Sequence, residues 1–226
     1  MTGYNTEIVT IRVGEDDYRL RKLTDRQQFS DPDGAAERAG ISSATWPLFG
    51  MLWPAGLALA ERMASLPIAG KRILEVGCGL GLSSLVLQRR GADITASDNH
   101  PLAGEFLEHN AQLNGLPPVR YRNAPWEGDD CELGGFDLII GGDVLYERDH
   151  ADLLAGFLLR HAKAVSQIMI ADPGRGYRNR LARLLEAQSY TRTEQPFFAD
   201  EVELVSKGHV MTFTRSAATS PIASRM

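Results

Sequence analysis

Glu75-Val76-Gly77-Cys78-Gly79-Leu80-Gly81 is the stretch from which the rest of the chain can be read. It stands between RILEV (72–76), a short apolar run of strand type, and 81–90, an apolar-periodic run of helix type. Glycine at a strand-to-helix turn lets the backbone take positive φ and lets a ligand approach closely. In open α/β sheets ligands lie beyond the carboxyl ends of the strands, at the point where strand order reverses. This turn is therefore the expected site.

Downstream, strand and helix patterns alternate. DITAS (93–97) reads as a strand ending at Asp98, and Pro101 opens a helix that runs to about Leu113. Proline suits a first helical position because its missing N–H is not needed there. VRYRN (119–123) reads as a short strand. FDLIIGG (136–142) is a near-continuous apolar run of the buried parallel type. A helix near 149–162, a strand SQIMIA (166–171) and a helix near 177–188 follow. The strand-like segments 190–197 and 202–214 have no helix between them, which implies an antiparallel pair. The expected fold is α/β: a Rossmann-like, doubly wound, mostly parallel seven-stranded sheet with an antiparallel C-terminal strand pair. Upstream, TEIVTIRV (6–13) alternates, Gly14–Asp17 reads as a turn, and Tyr18–Leu23 returns as a strand, giving an N-terminal β-hairpin extension. Residues 24–45 read as a loop with one short helix, and 55–65 as a helix closed by Pro67 and Gly70. The expected division is an extension over 1–45, a main domain over 46–214 and a frayed tail over 215–226. There is no internal repeat and no long low-complexity linker.

The length of 226 residues suits one sizeable domain. The net charge of -5 disfavours a nucleic-acid partner, because phosphate contacts demand clustered Lys and Arg. It is compatible with a basic substrate such as a lysine-bearing protein. No apolar run reaches the roughly 18 residues that a membrane helix needs. The N-terminus lacks a basic segment followed by an apolar one, so the expected location is cytoplasmic. The two cysteines, Cys78 and Cys131, argue against a disulfide framework and against a zinc cluster. The histidines at 100, 109, 150, 161 and 209 show no metal spacing, so no metal is expected. His100 reads as the cap of the helix that Pro101 opens, and Cys78 as a small packing residue in the turn. No feature of the sequence sets the oligomeric state.

The glycine turn discriminates between two cofactors. A nicotinamide site wants G-x-G-x-x-G, with a pyrophosphate on the helix N-terminus. Here the third glycine, Gly81, comes one position early, and Leu82 stands where the fingerprint wants glycine. The acid Glu75 beside the turn would repel a pyrophosphate, yet it suits a cofactor with a cationic amino-acid end. Asp98, 21 residues after Gly77, is placed to accept hydrogen bonds from both hydroxyls of a ribose. Together these features fit S-adenosylmethionine, with S-adenosylhomocysteine as product.

In these residues the sequence resembles the class I S-adenosylmethionine-dependent methyltransferases. Two further motifs narrow the resemblance. Trp53-Pro54-Ala55-Gly56 precedes the first core helix, and Asp143-Val144-Leu145-Tyr146 follows the fourth core strand. The pair is similar to methyltransferase family 16, whose known members mostly methylate lysine side chains of specific proteins. Asp172-Pro173-Gly174-Arg175 resembles a segment of the electron transfer flavoprotein β-subunit lysine methyltransferases. The resemblance covers roughly 46–190. It implies a protein substrate, with electron transfer flavoprotein as the first candidate. Carried over, Glu75, Gly77, Gly79 and Gly81 line the methionine end of the cofactor, and Asp98 holds the ribose. Trp53, Cys78, Asn99 and Trp126 complete the pocket. Asp143 and Tyr146 face the methyl group and the incoming amine, as the catalytic pair. In one place the sequence departs from the family. Pro125 stands where the family often has an acid beside the adenine amine, and Asn123 is the expected substitute.

Other readings compete. A methyltransferase of the same class acting on a small molecule, or on histidine or arginine, shares every cofactor residue. Such small-molecule enzymes often carry an inserted lid, and no long insertion follows the fourth or fifth core strand. A binding module without catalysis is disfavoured by the intact glycine turn and D-x-x-Y sequence. Each motif also has a purely structural reading: Trp53 as a core aromatic, Asp143 as a strand-end cap, Tyr146 as a wall residue. Arg175 reads equally well as a solvated loop residue.

Overall fold

The computed structural model describes residues 3–128, 133–199 and 206–217. Cys131 and residues 218–226 of the expected tail lie outside the described residues. The chain opens with an antiparallel hairpin of β1 (Thr6–Val13) and β2 (Asp16–Leu23), paired from Thr6↔Leu23 to Val13↔Asp16. The turn is tighter than expected, only Gly14-Glu15, and Gly14 takes φ 57°. A short helix α1 (Ala35–Arg38) follows. The Asp31 carboxylate accepts the Ala36 and Glu37 amides, each at 2.9 Å, and so caps α1. A 3-10 turn over Trp46–Gly50, which the sequence did not signal, places Trp46 in the interior.

The remaining elements are α2 (Pro54–Ser65), β3 (Arg72–Val76), α3 (Leu82–Arg89), β4 (Asp93–Asp98) and α4 (Ala103–Leu113). Then come β5 (Arg120–Asn123), β6 (Phe136–Gly142), α5 (His150–His161), β7 (Ala162–Asp172), α6 (Arg178–Glu186), β8 (Thr191–Ala199) and β9 (Ser206–Arg215). The seven-stranded sheet runs β5-β4-β3-β6-β7-β9-β8. β9 is antiparallel to both β7 and β8, and the other pairings are parallel. The fold class is therefore the expected one. Strand order reverses between β3 and β6, so a crevice opens above their carboxyl ends.

Side-chain alternation explains how both faces are covered. Ile73, Leu138, Ile140 and Met169 point to one side and pack with Leu59 of α2, Leu85 of α3 and Leu107 of α4. Leu74, Val76, Ile139, Ile168 and Ile170 point to the other and pack with Leu154 and Leu158 of α5 and Leu181 of α6. The period of two along each strand, with both phases apolar, makes these runs read as buried parallel strands.

One boundary is corrected. Pro101 does not open α4 but lies in the turn before it, and the helix begins at Ala103. His100 still serves that start, because its Nδ1 accepts the Leu102 amide at 3.2 Å and its carbonyl accepts the Ala103 amide. Among the described residues no helix is long and apolar enough to cross a membrane. No group of His, Cys, Asp and Glu that would hold a metal occurs among the described residues.

Candidate active site

The glycine turn is shaped first by its own protein neighbours. Gly77 has φ 58° and Gly79 φ 51°. A Cβ on Gly79 would stand 2.7 Å from the Phe49 carbonyl oxygen, so backbone of the 3-10 turn lies directly against it. A Cβ on Gly77 would stand 2.8 Å from a Val144 methyl and 4.0 Å from the Trp126 ring. Glycine is thus required by protein packing as well as by any ligand.

Glu75, at the carboxyl end of β3, is buried. Its Oε2 accepts the Ser84 amide at 2.9 Å and also the Ser84 hydroxyl. It therefore caps the first turn of α3 from outside the helix, a role that its N-cap residue, Gly81, cannot fill. Burial pushes the carboxyl up to about 7, against the lowering effect of these hydrogen bonds. Asp98 ends β4. Its Oδ2 accepts the Gly79 amide and its Oδ1 the His100 amide, each at 2.8 Å. Burial raises its ionisation above the ordinary range, and the same amides work the other way. Both oxygens keep further lone pairs for a ligand hydroxyl.

On the opposite wall, Gly142 ends β6 against the start of α2, where a Cβ would come within 3.0 Å of Gly56 Cα. This close approach explains the glycine at the end of β6. Pro54 occupies the first turn of α2, and Trp53 donates its indole N–H to the Leu48 carbonyl at 2.9 Å. Asp143 follows with φ 55°, a left-handed conformation that Asp tolerates better than most residues. Its carboxylate meets the Arg175 guanidinium in a two-pronged pair, Nε–Oδ1 2.8 Å and Nη2–Oδ2 3.1 Å. Arg175 is therefore not a solvated loop residue. Tyr146 stands at the mouth, 40% exposed, with its ring edge-on to His150. Partial burial and the neighbouring Asp98, Glu147 and Asp143 push its phenol upward, so it is a neutral hydrogen-bonding group there.

Trp53, Glu75, Gly77, Cys78, Gly79 and Gly81 line one cleft together with Asp98, Asn99, Trp126, Asp143 and Tyr146. Asn123 does not. It belongs to the edge strand β5, and its side chain donates to the Asn99 carbonyl at 3.2 Å instead of lining the cleft. Sequence reasoning missed Phe49 and Arg26. Arg26 lies in the 24–45 segment, with its guanidinium 5.4 Å from the Trp53 ring centroid, in the cleft wall. No spacing in 24–45 signals Arg26, and none in the 3-10 turn signals Phe49.

The cleft holds about 670 Å³, within the roughly 300–1,000 Å³ typical of small-molecule sites. Its lining carboxyls are Glu75, Asp98, Glu127, Asp143, Glu147 and Asp149, against the guanidinium groups of Arg26 and Arg175. That balance repels a pyrophosphate. It fits a nucleoside sulfonium whose amino-acid end presents an ammonium, with Asp98 available to the ribose and Glu75 to the ammonium.

Known proteins agree. A family model described as lysine methyltransferase matches residues 46–190. The electron transfer flavoprotein beta subunit lysine methyltransferase of Mus musculus is 32% identical over 203 residues, 84% of this chain and 76% of that protein. Its Xenopus laevis counterpart is 34% identical, over 70% of this chain and 63% of that protein. Among solved structures, the T. thermophilus 16S rRNA N2 G1207 methyltransferase in complex with AdoMet and guanosine has a TM-score of 0.63 at 16% identity. It covers 93% of this chain and 51% of its own, and that likeness concerns the fold. S-adenosylmethionine is the cofactor that the cleft and these likenesses support in common. By sequence and by site, this chain belongs to the lysine methyltransferase family, methyltransferase family 16, and is an S-adenosylmethionine-dependent methyltransferase.

Proposed function

We propose that the acceptor is a lysine side-chain amine of a protein partner, and that the electron transfer flavoprotein β subunit is the first candidate. The observation that carries this reading is an acid and a phenol, Asp143 and Tyr146, at the open mouth of the glycine cleft. The loops that leave β6 and β7 are short, 143–149 and 173–177, and no lid covers the mouth among the described residues. An unlidded mouth suits a side chain presented by a macromolecule. The curated relatives named above act, by their names, on that flavoprotein subunit.

When bound, S-adenosylmethionine supplies an electrophilic methyl group on a sulfonium. The chain's own residues do the rest. Glu75 is placed for the ammonium of the methionine end, Asp98 for the ribose, and Trp126 for a flat face beside the glycine turn. Asp143 accepts an N–H of the incoming amine and aims its lone pair, and Tyr146 forms one wall of the lysine channel. A free lysine has a pKa near 10.4, so reaching its neutral form at pH 7.4 costs roughly 4 kcal/mol. The positive charge of the bound sulfonium lowers that cost, and solvent takes the proton. No strong base is needed.

The test is incubation of the protein with methyl-labelled cofactor and purified flavoprotein β subunit, in parallel with fractionated lysate, followed by mass spectrometry. Methyl groups on lysine of a protein support the reading. Label confined to a small molecule, or to histidine or arginine, overturns it.

A further inference from the structure

A carboxylate that aims the acceptor amine carries a difficulty. It stabilises the ammonium form, which cannot attack, as well as the neutral amine. The turn after β7 meets this difficulty directly. Asp172 is fully buried, and its Oδ1 accepts the amides of Gly174 at 2.8 Å and Arg175 at 2.9 Å. Gly174 completes the reversal with φ 97°. The folded loop turns Arg175 back toward the end of the neighbouring strand β6, where its guanidinium engages both oxygens of Asp143. The Asp143 side chain is 5% exposed and that of Arg175 39%. Planar two-pronged pairing fixes a carboxylate in orientation as well as in charge. Each oxygen so engaged still has a lone pair for an incoming N–H. Asp143 is held from its backbone too, since its amide donates to the Ala171 carbonyl at 2.8 Å.

We propose that Arg175 is a positioning residue whose guanidinium cancels the charge of Asp143 while holding its orientation, so that the acceptor amine is aimed without being kept as an ammonium ion. This rests on the lysine reading given above. Asp172, through its two amide contacts, sets the position of Arg175 and so acts one step further back. The other titratable groups around the pair are Asp172 from β7, Tyr146 and Glu147 from the loop after β6, and Asp98 from β4. His150, on the first residue of α5, lies against the Tyr146 ring. Across the β7–β9 ladder His209 is opposite Asp172, and its Nδ1 lies 2.8 Å from Arg178.

The experiment compares wild type, Arg175→Gln and Arg175→Lys on the lysine substrate that wild type labels. In Arg175→Gln the uncompensated carboxylate stabilises the ammonium. The acid limb of kcat, which reports the bound complex, is therefore expected to move up by about 1–3 pH units. Activity near neutrality then falls about tenfold per unit and recovers at high pH. Arg175→Lys keeps the charge but loses the fork. Its acid limb is expected near that of wild type, with kcat reduced. A binding measurement in the presence of S-adenosylhomocysteine needs no turnover. Wild type should bind the substrate peptide and its lysine-to-norleucine analogue with similar affinity. Arg175→Gln should prefer the lysine form by about tenfold or more. S-adenosylhomocysteine affinity should stay the same in all three. An unmoved acid limb in Arg175→Gln, or loss of cofactor affinity in parallel with activity, overturns the proposal. If Arg175→Gln does not fold, an acid limb in Arg175→Lys displaced by a full unit or more overturns it instead. A wild type that labels no lysine overturns the lysine reading itself and takes this inference with it.

Discussion

The Glu75 carboxyl is buried at the first turn of α3, bound to Ser84, and held up near 7 against an ordinary 4.5. Between those two values the unfolded chain gives up a proton that the folded chain keeps. The unliganded protein therefore loses stability as pH rises through this window, by on the order of 3 kcal/mol at about 1.4 kcal/mol per unit. Below 4.5 both states are protonated and the effect is absent. An ammonium placed beside Glu75 reverses the preference, because it favours the charged carboxylate. S-adenosylhomocysteine binding at pH 6 is thus expected to release close to one proton, and its affinity to rise from pH 6 to 8. Calorimetry in buffers of different ionisation enthalpy measures this directly. Glu75→Gln should abolish both the proton release and the pH dependence. Proton release unchanged in Glu75→Gln would place the titrating group elsewhere. Gly79 gives a second residue-scale prediction. A side chain there meets the Phe49 backbone, which cannot rotate away, whereas at Gly77 it meets side chains, chiefly that of Val144. Left-handed strain plus the clash should cost Gly79→Ala at least about 2 kcal/mol. At 2–4 °C per kcal/mol for a chain of this size, thermal melting should fall by roughly 4–8 °C. Gly77→Ala should be the milder of the two. The residues of the glycine turn and of D-x-x-Y were legible because strand ends fix their place. Arg175 was not, because its reach to Asp143 depends on two amide contacts to Asp172 that no spacing encodes.

At the scale of elements, α4 does more than cover the sheet. Asn110 and Asn114, one turn apart, turn their carboxamides toward the open edge of β2. Asn110 Oδ1 accepts the Arg21 amide at 2.7 Å, and Asn114 exchanges two hydrogen bonds with the backbone of Arg19, at 2.9 and 2.8 Å. The pair acts as a substitute strand, satisfying alternate residues of an edge that would otherwise be unpaired. Asn110 also donates to the Leu80 carbonyl at 3.0 Å, so one buried side chain ties the hairpin to the glycine turn. Asn110→Ala leaves a buried amide and a carbonyl without partners, which costs about 2–4 kcal/mol. Melting should fall by roughly 5–15 °C, and S-adenosylhomocysteine affinity should fall with it. Asn114 is less buried, so water replaces its bonds, and Asn114→Ala should cost under about 1 kcal/mol with cofactor affinity unchanged. Equal effects of the two would mean that the link to Leu80 carries nothing. The hairpin strands and the βα units were legible from periodicity of two and of 3.6. Their docking was not, since asparagine inside a helix pattern gives no sign of which backbone it serves. The 3-10 turn at Trp46–Gly50 escaped for a related reason: it is shorter than any period that can be counted.

For the whole molecule, the question is whether the N-terminal hairpin is an appendage or part of the folded body. The family match begins at Trp46, which taken alone suggests that 1–45 can be dispensed with. Packing argues otherwise. Val13, Tyr18 and Leu20 belong to the same buried cluster as Leu59, Ile73 and Leu85. Leu23 sits with Trp46, Phe49 and Phe106 in the cluster behind the glycine turn. Electrostatic ties are secondary: the Arg89–Asp16 pair has its Asp16 end exposed to solvent. Burying four such side chains contributes about 6–12 kcal/mol, at roughly 1.5–3 kcal/mol each. A domain's net stability is about 5–15 kcal/mol. Removing residues 1–45 would also strip Arg26, Ala39 and Ile41 from the cleft wall. A fragment spanning 46–226 is therefore expected to lack a cooperative thermal transition by circular dichroism and to bind no S-adenosylhomocysteine. The full chain should melt cooperatively and bind the nucleoside. If the fragment melts within a few degrees of the full chain and binds the nucleoside, the hairpin's apolar face contributes far less than its burial implies. The core would then have to be drawn without it.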